Sequence, residues 1–147
     1  MTPDCSPYPW PDPRAALDAA LDVDGVIAGT GCTAEDLTDL NAIFLQEVSN
    51  MAGRLAQASA ALEGSQPGAA AWPEAMEHLR TAAHELTTSF GIVGARCAEA
   101  YSRSTQLKLR KARTQEEPPP TAEDLRTAAQ ALLGAVHRVE SLIRQQP

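Results

Sequence analysis

The side chains able to do chemistry are few, and their spacing suits little of it. Histidines occur at 78, 84 and 137. His78 and His84 fall about 240° apart on a helix, so they do not share a face. His137 and Glu140 can point the same way, but together they supply two ligands, and no second pair matches them. Glu74 and Glu77 have the E-x-x-E spacing that, repeated on a facing helix, holds magnesium for phosphate hydrolysis. The nearest thing to a second pair is Asp36 with Asp39 at a helix start, where the helix dipole favours acids in any case. Cys5, Cys32 and Cys97 form no C-x-x-C pair, so no structural zinc site is expected. Ser49, Ser59, Ser89 and Ser141 fall inside helical patterns, without the strand–turn–helix elbow of a nucleophilic serine. No glycine-rich loop follows a strand to cradle a phosphate. The expectation is a protein that is not an enzyme and holds no metal or cofactor.

Charge offers a second kind of site. Arg103, Lys108, Arg110, Lys111 and Arg113 fall within one short stretch that contains no acid. Residues 1–63 carry ten acids and two bases, whereas residues 64–147 carry nine acids and ten bases. The net charge of -7 excludes a general nucleic-acid coat, which needs a basic surface. The basic stretch is expected to complement the negative end of its helix and to serve as a contact for an acidic protein surface. Weak, salt-sensitive nucleic-acid binding is the alternative. Only Tyr101 lies nearby for base stacking, and no helix-turn-helix is recognisable. A second candidate contact is the aromatic pair Tyr8 and Trp10. It sits among Pro3, Pro7, Pro9, Pro11 and Pro13, in a stretch expected to be extended and PPII-like. Those aromatics either lie on the body of the protein or dock a partner.

The elements that must carry these residues read as helices. Alternating strand patterns are absent. Asp12-Pro13 predicts a helix start, with a short helix over 13–28 weakened by Gly25. Thr33-Ala-Glu-Asp36 is a capping signature, and the helix after it should run to Glu63. Its apolar positions are Leu37, Leu40, Phe44, Val48, Met51, Leu55, Ala58 and Leu62, close to a heptad seam that Ile43 and Leu45 widen. Residues 64–71 form a turn, and Pro73 opens a third helix. Its stripe is Met76, Leu79, Ala83, Leu86, Phe90, Val93, Cys97, Ala100, Ser104 and Leu107, without a slip. Unbroken to Arg113 this helix would be about 60 Å long, against about 46 Å for its predecessor. It should therefore project or bend near Gly91 and Gly94. Residues 114–120 stop it. Thr121-Ala-Glu-Asp124 repeats the cap and opens a last helix to Gln145, with Leu125, Ala128, Leu132, Val136, Val139 and Ile143 inward.

These elements predict an all-α fold: an antiparallel three- to four-helix bundle with a short first helix and an extended proline-rich N-terminal arm. The arm covers residues 1–12, and residues 13–147 form one domain. A core with many alanines and few aromatics buries modest area per residue, which favours a protein partner or self-association. No apolar run reaches the ~20 residues of a membrane span, and the first residues lack the features of a secretory signal. An odd, scattered cysteine set predicts unpaired thiols, with Cys97 packed as a small apolar residue, and hence a reduced, cytoplasmic location. The function expected is protein–protein contact, as an adaptor, assembly factor or regulatory subunit.

Overall fold

A computed structural model describes residues 5, 8–17 and 20–146. Among them there are helices and no strand: α1 (Arg14–Leu17), α2 (Val23–Thr30), α3 (Ala34–Glu63), α4 (Trp72–Val93), α5 (Arg96–Arg113) and α6 (Ala122–Arg144).

The two repeated tetrapeptides do what their sequence suggests. At α3 the Asp36 N–H donates to Thr33 Oγ1 (3.1 Å) and the Thr33 N–H donates back to Asp36 Oδ2 (3.0 Å). Thr121 and Asp124 make the same reciprocal pair at α6. Each box satisfies two donors that a helix start leaves without intrahelical partners. Thr33→Ala and Thr121→Ala should each cost about 1 kcal/mol in urea denaturation. The costs should add in the double variant, since the caps share no partner.

The predicted helix over 13–28 is two helices. Asp12 Oδ1 accepts the Arg14 N–H (3.0 Å) and starts α1. A second cap then intervenes: Asp22 accepts the Gly25 N–H (3.1 Å) and starts α2. Side chains of this type offer the backbone a local partner and so break a helix where they recur.

The predicted long third helix is a hairpin. Gly94 takes the left-handed conformation, with φ of 82°. The Ala95 N–H bonds to the Phe90 carbonyl (2.9 Å) and the Gly94 N–H to the Gly91 carbonyl (3.2 Å). This is the Schellman pattern, which ends a helix by satisfying its last carbonyls. The chain then reverses. Gln106 on α5 lies 3.0 Å from His84 on α4, and Arg113 reaches back to Glu77 at 3.9 Å. The turn is braced from outside, because the Asp22 N–H donates to the Gly94 carbonyl (2.8 Å).

Reversal changes which residues of α5 face inward. Cys97 stays buried, but Ala98, Tyr101, Thr105 and Leu109 take the inner positions expected of Ala100, Ser104 and Leu107, and Leu107 is 43% exposed. The seams of α3 and α6 are as expected apart from half-buried Leu40. Ile43, expected to widen the α3 stripe, is 55% exposed.

Contacts fix the direction of two helix pairs: α5 runs back along α4, and α6 runs back along α3. Arg54 on α3 pairs with Glu85 on α4. Along α3 and α6, Asn41 donates to Gln146 (2.9 Å), Gln130 donates to Ser59 (2.9 Å), and Arg126 donates to the Leu62 carbonyl (3.1 Å). Arg126 thereby serves one of the unpaired carbonyls at the α3 terminus. The core between these helices is built on Leu55, Leu62, Leu79, Leu86, Phe90, Leu125 and Leu132, all nearly inaccessible. Phe44 and Phe90 meet with centroids 6.1 Å apart. α1 packs on both α5 and α6, with Leu17 resting over Gly134.

Candidate functional site

The fold takes the candidate residues to three places. The first is the N-terminal stretch. Cys5 and Cys97 are joined by a disulfide, with Cα atoms 5.1 Å apart. The expectation of unpaired thiols is therefore corrected: a pairing across 92 residues has no sequence motif, because the fold alone brings its ends together. Cys32 is free and half-buried. The Trp10 indole N–H donates to Thr105 Oγ1 (2.8 Å), and that hydroxyl donates in turn to the Tyr101 carbonyl (2.9 Å). The Tyr101 hydroxyl donates to the Pro11 carbonyl (2.6 Å). Burial pushes the Tyr101 phenol above the ordinary tyrosine range. Tyr8 lies under the Arg14 guanidinium, 4.2 Å from its ring centroid. Both aromatics thus make contacts within the chain. The stretch bends where extension was expected: the Asp12 N–H closes a turn on the Pro9 carbonyl (2.8 Å). Pro3 and Pro7 lie outside the described residues.

The second place is the basic stretch on α5. No acid lies among these cations in sequence, but acids on either side of the stretch and on α4 reach them. Arg103 pairs with Glu99 (3.1 Å), Lys111 with Glu117 (3.0 Å), Lys108 with Glu117 (3.7 Å) and Arg113 with Glu77 (3.9 Å). Arg110 has no ion-pair partner among the described residues. The Lys111 hydrogen bond holds the Glu117 carboxyl below its usual range, and the Arg80 hydrogen bond does the same for Glu77. These are solvent-exposed pairs, which contribute little to stability. Their consequence is electrostatic: Glu99, Glu117 and Glu77 are each shared by two cations, so the face is partly compensated and stays net positive.

Between α4 and α5 two grooves open. One, of about 570 Å³, is lined by Pro73, Met76, Glu77, Arg80, Leu109 and Arg113. The other, of about 350 Å³, is lined by His84, Thr87, Thr88, Arg103, Gln106, Leu107 and Arg110. The second places an exposed leucine between two arginines. Sequence reasoning missed this, because Leu107 continued the inward stripe.

The third place is the pair of candidate metal positions. Glu74 lies 3.8 Å from His78, while Glu77 is committed to Arg80 and Arg113, so the two glutamates do not converge. His137 lies 3.5 Å from Glu140, which also receives Arg144 (3.2 Å). Among the described residues no group of three or more His, Cys, Asp or Glu side chains could hold a metal ion. Among the described residues no helix is long and apolar enough to cross a membrane. Compared with protein-family models, curated proteins and solved structures, the chain matches none of them.

Proposed function

We propose that the chain is an antiparallel four-helix bundle of α3 to α6, closed between α5 and α6 by α1 and a proline-rich arm. It works without catalysis through protein contacts, as an adaptor, assembly factor or regulatory subunit. The observation that carries this reading is the outer face of α5, where Leu107 is 43% exposed between Arg103 and Arg110. Arginine is enriched at interfaces, and an exposed apolar side chain between two of them gives a partner area to desolvate. The nucleic-acid reading has less support. Arg103, Lys108, Lys111 and Arg113 each lie beside a carboxylate, which lowers what each gains by replacing counterions on a phosphate.

The Cys5–Cys97 bond also bears on location. The expectation of a cytoplasmic location rests on unpaired thiols, whereas structural disulfides persist in oxidising compartments. An oxidising compartment is the location we propose.

The test is recovery of the tagged protein from its source cells and their medium, with and without nuclease. A stoichiometric protein partner that survives nuclease, and that is lost from a Leu107→Glu variant, is the expected result. Saturable turnover of a substrate, or partners that leave with nuclease, would overturn the proposal.

A further inference from the structure

We infer that the basic outer face of α5 docks on the acidic outer face of α3 in a second copy of this chain. The inference rests on the protein-contact reading above and names the partner.

The two faces match in charge, in apolar content and in spacing. α3 carries five acids and one base, whereas α5 carries six bases and one acid. Of the large apolar residues, Ile43 on α3 is 55% exposed and Leu107 on α5 is 43% exposed. Asp39 and Glu47 stand one turn either side of Ile43, within about 40° of it around the helix. Arg103 and Arg110 flank Leu107 within about 60°. The acids are about 12 Å apart along their helix and the arginines about 10.5 Å apart along theirs. When Ile43 rests against Leu107, each arginine therefore meets one acid.

Both faces are available. α3 and α5 make no close contact with each other. Asp39 and Arg110 have no polar side-chain partner among the described residues, and Glu47 accepts only from Asn50 (3.3 Å). Arg103 holds Glu99, which it shares with Arg96, and its side chain is 64% exposed. The net charge of -7 opposes association, but it resides in residues 1–63, while residues 64–147 carry one more base than acids. At physiological salt it is screened beyond about 8 Å, whereas pairs in contact are screened far less. Because the two patches differ, the contact is heterologous. Within a pair one copy keeps its α3 face free and the other its α5 face, so copies add head to tail or close into a ring.

Sedimentation velocity of the full oxidised chain over a concentration series, at physiological salt, is the experiment. The wild-type mass should rise with concentration. Arg103→Glu with Arg110→Glu should move that rise to at least about tenfold higher concentration, because like charges then face each other. Asp39→Lys with Glu47→Lys should do the same. An equimolar mixture of the two variants should associate again, since the swapped faces complement. Wild type that stays monomeric throughout overturns the inference without reference to any variant. So do reversal variants that associate like wild type, and a mixture of natively helical variants that stays apart. Monomeric wild type that still captures a foreign protein through Leu107 overturns only this inference. Wild type that does neither overturns the protein-contact reading as well.

Discussion

Replacing Cys5 and Cys97 together by serine should lower the stability of the chain by about 2–4 kcal/mol. The bond spans 92 residues, and restricting the unfolded chain over that length sets a ceiling of about 4.6 kcal/mol. A domain of this size has about 5–15 kcal/mol in total, so the loss is a large fraction. Urea denaturation of the wild type with and without reductant, beside the double-serine variant, measures it. The reduced wild type and the variant should coincide. Trp10 supplies a second readout, because its hydrogen bond to Thr105 and the Tyr101 bond to Pro11 tie the N-terminal stretch to α5 beside the disulfide. With Trp72 replaced by phenylalanine, Trp10 emission should shift to that of an exposed indole at lower urea than the helical signal is lost. Equal midpoints for oxidised and reduced protein would mean that the bond constrains nothing.

Gly94→Ala should be nearly as damaging, by about 2–4 kcal/mol. The left-handed conformation costs a residue with a Cβ about 1–2 kcal/mol. Crowding a packed site adds about 1–3 kcal/mol. Here an added Cβ would lie 2.9 Å from the Asp22 carbonyl oxygen and from Val26 Cγ2. The oxygen belongs to the backbone that donates to Gly94 itself, so it cannot retreat without giving up that bond. Gly53→Ala is the paired control. Gly53 lies inside α3, and a Cβ there meets nothing within 4 Å. That variant should gain about 0.5–1 kcal/mol, as alanine favours a helix interior over glycine. Opposite signs for one chemical change would locate the effect in the turn. If Gly94→Ala matched wild type in urea, the hairpin would not depend on this glycine.

The parts of the fold legible in the sequence are those decided locally. The boxes at Thr33 and Thr121 and the seams of α3 and α6 need only near neighbours, and single helices express them. The hairpin is different. Leu86, Phe90, Val93 and Cys97 keep helical spacing straight through Gly94, because each arm of the hairpin must be apolar inward and the turn between them is too short to interrupt the count. Sequence could mark Gly94 as a place to bend, but the extent of the bend depends on α2 meeting the turn through Asp22. Leu107 was misplaced for the same reason, since its phase was carried across a point where the chain reverses. The ion pairs of the basic stretch were only partly legible. Glu77 and Glu117 reach it once α4 folds against α5 and the chain turns beyond Arg113.

The bond between Cys5 and Cys97 makes residues 5–97 a covalent ring, with α5 and α6 as its tail. A protease that cuts once within the turn at 64–71 opens the ring and releases nothing. The nicked chain keeps its full mass on a non-reducing gel and falls into two pieces only when reduced. One cut among residues 114–120 lies outside the ring and frees α6 at once under either condition. The molecule is thus a loop that tolerates a break and a tail that does not, and the boundary between them is the first turn of α5.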